Sequence, residues 1–188
     1  LLSALDMLSL VILVIMQTLR AMKMAMQNRL LEQEVFIDAH TGLPNKNACK
    51  ELIDKKDIIT DPTACIMFDL NNLKIVNDAM GHSAGDQLIM NFAKLLRSVI
   101  PEKDFVGRYG GDEFVAVIYH TSEAEIKEII KSLYEEKDRL NSYENQIPID
   151  YACGWALSSG DMSCTMRMLL DDADAYMYKN KQLCKKHN

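Results

Sequence analysis

The five cysteines of this 188-residue chain include no CxxC pair, and their odd number closes no disulfide framework. Cys49, Cys65, Cys153, Cys164 and Cys184 therefore read as free thiols of a reducing compartment, neither staples nor zinc ligands. Histidine is equally sparse: four residues, each isolated in sequence, also disfavour zinc. An excess of positive charge is missing. The net charge of −6 argues against non-specific binding of nucleic acid. Low-complexity tracts and internal repeats are absent as well. The uncharged run at 7–19 falls short of the about 20 residues needed to span a bilayer. What remains is an ordinary globular composition, 48% hydrophobic and 26% charged, at a length that suits one domain with an appendage.

The appendage is residues 1–33. Its first 19 residues carry one charge, Asp6, and Arg20, Lys23 and Arg29 follow closely. That order fits the cytoplasmic edge of a membrane helix under the positive-inside rule, and a chain that begins at Leu1 implies a segment upstream. Ile12, Ile15, Leu19, Met22 and Met26 also recur at alternating steps of three and four, the seam of a short coiled coil. Both readings hold if a membrane helix continues into a dimerising signalling helix. Met22, Met24 and Met26 read as packing residues.

Residues 34–188 alternate in the manner of an α/β domain. Helices are expected at 47–55, 85–99, 122–140 and 166–181, and strands at 64–68 and 147–157. The loop 158–161 precedes the last helix. Residues 105–119 read as a hairpin turning at Gly110-Gly111, where glycine tolerates positive φ and lets a phosphate approach closely.

Two stretches carry chemistry. The hairpin contains RYGGDEF at 108–114, and alternation along a strand sends Asp112 and Glu113 to opposite faces. The second, DLNNLKIVNDAMGHSAGD at 69–86, begins where the apolar run ACIMF ends, so Asp69 emerges at the strand's C-terminal end. Hard divalent cations prefer carboxylate and carbonyl oxygens with substrate phosphates; Asp69, the Leu70 carbonyl and Asp112 would suffice. Alone, each stretch has a plainer reading, an acidic turn or a strand-ending helix cap.

Together they resemble the GGDEF family of diguanylate cyclases. The family's D-x-D-x-F-K-x-x-N-D-x-x-G-H-x-x-G-D is matched at 69–86 with Asn71 and Leu73 as departures. DAHTGLPNK at 38–46 is similar to its D-x-L-T-G-L-x-N-R, with His40 for leucine and Lys46 for arginine. ADAYMYKNK at 173–181 is similar to its A-D-x-A-L-Y-x-A-K. The resemblance runs from about 38 to 185 and implies a central, mainly antiparallel sheet flanked by helices, like nucleotidyl cyclases and polymerase palm domains, behind a long N-terminal helix.

The resemblance implies condensation of two GTP to cyclic di-GMP with loss of two pyrophosphates, at two sites brought face to face in a homodimer. Asp69, the Leu70 carbonyl and Asp112 would hold two Mg²⁺, with Mn²⁺ as an alternative. Asp112 is the position named as proton acceptor; Glu113 assists at the metal or at the hydroxyl. Lys74, Lys181 and Lys185 would hold the triphosphate, with Lys74 also counted as catalytic. At 184–186, CKK departs from the family's G-R-N, and lysine there loses bidentate geometry. Asn77 and Asp86 would read guanine, with His82 near the nucleotide. Asp86 predicts GTP over ATP, because adenine N1 would face a carboxylate acceptor to acceptor; its plainer role is a helix N-cap. The family's inhibitory R-x-x-D is PEKD at 101–104, so Pro101 removes the arginine and argues against feedback through that site. The alternative function is a catalytically silent GTP-binding regulatory module. The catalytic part would lie in the cytoplasm, tethered at the inner face of a bacterial membrane.

Overall fold

The computed structural model describes residues 4–55, 58–144, 146–158 and 163–185, and the chain divides into two compact units, 1–36 and 37–188. The loop expected at 158–161 falls, apart from Ser158, outside the described residues.

The first unit is one helix, α1 (Ala4–Phe36). Its 21-residue stretch Met7–Gln27 is long and apolar enough to cross a membrane by length and composition alone. The expected shortfall came from stopping at Arg20; the helix carries its apolar character past Arg20 and Lys23. Ile12, Ile15, Leu19, Met22 and Met26 are all exposed.

The second unit contains α2 (Lys46–Ile53), β1 (Thr63–Leu70), α3 (Leu73–Met80), α4 (His82–Val99), β2 (Phe105–Arg108), β3 (Glu113–Tyr119), α5 (Glu123–Asn141), β4 (Tyr151–Ser158) and α6 (Met166–Lys185). The four strands form one antiparallel sheet in the order β2-β3-β1-β4. Helices cover both faces, so β1 is apolar without a break from Ala64 to Phe68 and its side chains divide by parity. Ala64, Ile66, Phe68 and Leu70 pack with Leu88, Phe92, Leu95 and Leu96 of α4 and with Ile126 and Leu133 of α5. Cys65 and Met67 pack with Cys49 and Ile53 of α2 and Leu169, Leu170, Ala173 and Met177 of α6. Burial lifts the Cys49 and Cys65 thiols to about 12, and four described cysteines are free.

Local chemistry accounts for the ends of the elements. Ser122 accepts from the Glu125 N–H at 3.3 Å while the Glu125 carboxylate accepts from the Ser122 N–H at 2.8 Å, a capping box that starts α5. Asn141 ends α5 and holds both the N–H and the carbonyl of Ile149, each at 2.8 Å. Those groups are thereby withdrawn from ladder pairing, so β4 begins at Tyr151 and not at the expected 147. The short α3 has no expected range of its own, only the helix that an Asp69 cap would start; its eight residues, none of them buried, make little more than two turns, too short a stretch to stand out as an element. Gly110 and Gly111 do not adopt positive φ, as Gly42 and Gly81 do. The bare Gly110 instead leaves room for the Glu113 side chain, whose Oε2 would lie 2.5 Å from a Cβ there.

Candidate active site

The sheet assembles a cluster of carboxylates at the C-terminal end of β1. Asp69 lies opposite Glu113 in the β1–β3 register, with the parity of Met67 and Val115, so both lie on the α6 side of the sheet. The Leu70 N–H donates to the Asp112 carbonyl at 2.8 Å and draws the hairpin turn against the end of β1. Asp112 therefore sits in the turn, one residue before β3, and strand alternation does not govern its direction. From α6, Lys181 Nζ reaches Asp69 Oδ1 at 2.5 Å. This ion pair replaces the plain reading of Asp69 as a helix cap: the residue in the N-cap position of α3 is Asn72, in a left-handed conformation. Burial, then the charges of Asp112, Asp69 and Asp174, raise the Glu113 carboxyl above its ordinary value, with Lys46 opposing them.

Negative oxygen donors thus crowd one edge of the sheet, and that crowding fits a hard cation. Among the described residues no three His, Cys, Asp or Glu side chains form a ready-made metal group. The donor set of Asp69, Asp112 and the Leu70 carbonyl is of another kind, two side chains with one main-chain oxygen. It suits Mg²⁺, which retains waters and takes further oxygens from substrate phosphates.

Arg108 fixes the turn. Its Nη2 and Nε donate to the Gly111 carbonyl at 2.8 and 3.3 Å, and its Nη1 lies 3.3 and 3.2 Å from the two Asp38 oxygens. Asp38 also accepts from the Thr41 N–H and hydroxyl at 2.8 and 2.7 Å. Burial alone would raise the Asp38 carboxyl, but Thr41 and Arg108 outweigh it and hold it below its usual value. The sequence alone assigns Arg108 no role, although it stands two residues before the double glycine.

A second group gathers where α3 meets α4. A Cβ on Gly85 would lie 2.8 Å from Asn77 Cγ and 3.1 Å from Leu73 Cδ1, so the bare glycine lets the Asn77 side chain lie across α4. Gly81, at φ 86°, turns the chain between the two helices. Since α4 begins at His82, Asp86 lies inside the helix and is not its N-cap; His82 and Asp86, four apart, share a face. Both are exposed, as is Lys74 on α3. His40, which the sequence reading gave no function, approaches Asp86 from the 38–44 loop with Nε2 3.0 Å from the Asp86 carbonyl. Lys185 ends α6, and its side chain lies outside the described residues.

Residues 35–187 match the family described as diguanylate cyclase, GGDEF domain. The signaling protein YkoW of Bacillus subtilis is 31% identical over 80% of this chain and 20% of its own length. The bifunctional diguanylate cyclase/cyclic di-GMP phosphodiesterase MucR of Pseudomonas aeruginosa is 32% identical over 86% of this chain and 24% of its own. The chain thus spans about a quarter or less of these relatives. Among solved structures, a microbial GGDEF domain studied with cyclic di-GMP superposes with a TM-score of 0.68 at 27% identity, covering 81% of this chain and 94% of that one. The coiled coil and GGDEF domain of DgcB from Caulobacter crescentus, in complex with cyclic di-GMP, gives 0.74 at 20% identity over 93% and 95%, a likeness of fold.

Proposed function

From a chain that belongs to the GGDEF-domain family of diguanylate cyclases, we propose an enzyme that joins two GTP into cyclic di-GMP and releases two pyrophosphates. The observation that carries this reading is the carboxylate cluster of Asp69, Asp112 and Glu113 with Lys181 bound into it. Each 3′-oxygen forms a bond to the α-phosphorus of the other nucleotide as the bond to the leaving pyrophosphate breaks in line. Mg²⁺ held by Asp69, Asp112 and the Leu70 carbonyl would supply charge neutralisation at the attacking oxygen and the phosphates. Asp112 accepts the 3′-hydroxyl proton, and Glu113 adds its charge on the face of Asp69. Lys181 exchanges Asp69 for the triphosphate, which frees a carboxylate oxygen as substrate arrives; Lys74 and Lys185 add phosphate-directed charge. Asn77, His82 and Asp86 form the base subsite. Purified protein with GTP and Mg²⁺ should yield cyclic di-GMP and pyrophosphate in a one-to-two ratio. GTP binding without product would instead establish the silent regulatory module, a reading favoured by the ammonium already neutralising Asp69.

One subunit binds one GTP, so the reaction needs a homodimer. Exposed apolar positions along α1 support pairing through that helix, a membrane tether, or both in series, with the catalytic unit on the cytoplasmic side.

Base choice offers a direct check. Asp86→Ser should lower the ratio of GTP to ATP initial rates by on the order of thirtyfold, the worth of about 2 kcal/mol for a charged hydrogen-bonding group. An unchanged ratio would mean that Asp86 does not face the base.

Product inhibition offers another. Asp104 is buried and accepts from the Tyr119 N–H at 3.0 Å, while Pro101 occupies the arginine position. Added cyclic di-GMP should therefore inhibit weakly and compete with GTP. Strong non-competitive inhibition at low micromolar product would reveal an allosteric pocket elsewhere.

A further inference from the structure

His40 stands in a turn that the fold holds firmly. The Asp38 N–H donates to the Leu43 carbonyl and the Gly42 N–H to the Asp38 carbonyl, both at 2.8 Å, and Leu43 is buried. Asp38 is further tied to Thr41 and Arg108. The imidazole is thus presented to α4 from a fixed point. Its Nε2 lies 3.0 Å from the Asp86 carbonyl, and a carbonyl only accepts, so Nε2 carries the proton. The same nitrogen is 3.9 Å from Asp86 Oδ1, and the Asp86 side chain is 60% exposed.

We propose that His40 is a positioning residue of the base subsite, which holds Asp86 so that its carboxylate faces the N1–H and N2–H edge of guanine. The proposal rests on the reading of Asp86 as the base-recognising carboxylate. An exposed aspartate samples several rotamers, and each productive encounter with a base must select one. A donor fixed beside it narrows that set and adds a positive edge next to Oδ1. Leucine, the residue of the family pattern at this position, donates nothing. This chain therefore carries a polar lock on its purine selector where the pattern has an apolar residue. Guanine preference, and not general nucleotide affinity, is the property that the lock controls.

Inosine lacks the 2-amino group of guanine, so a preference for guanine over hypoxanthine reads the Asp86 contact at N2. The ligands are 3′-deoxy-GTP and 3′-deoxy-ITP, which lack the attacking hydroxyl and cannot condense; their dissociation constants are measured on the full chain with Mg²⁺. The wild type should prefer the guanine ligand. His40→Leu should reduce the preference by on the order of threefold to tenfold, the effect of loosening one hydrogen bond to a charged group without deleting it. His40→Gln, whose amide places an N–H near the position of Nε2, should recover most of it. An unchanged preference in His40→Leu overturns the proposal, as does an equal loss of both ligands in the two variants, which marks a merely structural residue. A wild type that binds both ligands yet makes no cyclic product overturns only the cyclase reading. One that binds neither overturns both.

Discussion

Replacing Asp69 or Asp112 with alanine should reduce cyclic di-GMP synthesis by at least on the order of a thousandfold, since either change removes an anionic oxygen from a site that must offset charge on both nucleophile and leaving group. The two variants should differ in stability. Asp69 is half of an ion pair whose members are 14% and 27% exposed, and its loss leaves the Lys181 ammonium partly desolvated, at a cost of about 1–2 kcal/mol. Asp112 supports the fold through its main-chain carbonyl, which accepts the Leu70 N–H, so removing its side chain should leave thermal unfolding within about 0.5 kcal/mol of wild type. Product formation by chromatography and unfolding by calorimetry read the two effects separately. Near-normal turnover in either variant would remove that carboxylate from the mechanism.

Gly154→Ala should destabilise the second unit by about 2–4 kcal/mol, lowering its melting temperature by roughly 5–15 °C. Gly154 lies in β4 directly beneath α6. A Cβ there would lie 2.5 Å from the Ala173 carbonyl oxygen and 2.7 Å from Met177 Cα, and would also strike the Met177 backbone nitrogen. These are main-chain atoms of a helix, which cannot rotate aside as a side chain can. The helix must lift from the sheet, and Ala173, Met177 and Leu170 lose packing. Lys181 and Asn180 ride on the same helix, the latter donating to the Cys153 carbonyl at 2.9 Å. Gly111→Ala is the matched control, because a Cβ there meets nothing within 4 Å. If both variants melt with the wild type, β4 and α6 are not spaced as the structure has them.

Much of the framework could be read from local signals. The run ACIMF announced β1 and placed Asp69 at its end, because strand residues buried on both faces are apolar whatever their partners. The apolar spacing at 122–140 announced α5, and the structure adds the reason for its start, a Ser122–Glu125 capping box that closes within one turn. The antiparallel sheet flanked by helices followed from resemblance; periodicity alone led only to a mixed α/β domain. Tertiary structure decided the contacts that make a site. Lys181 meets Asp69 across 112 residues, Arg108 meets Asp38 across 70 and His40 meets Asp86 across 46. Each depends on strand register, on the height of a helix above the sheet, or on which turn lies beside which helix. None of these has a counterpart in local spacing. The glycines make the same division: Gly110-Gly111 was legible as a turn, but its φ angles were not, and Gly154 had no local signal at all. Its requirement is set by the backbone of α6, a helix that begins 12 residues further along the chain (166 − 154) and folds back to lie against it.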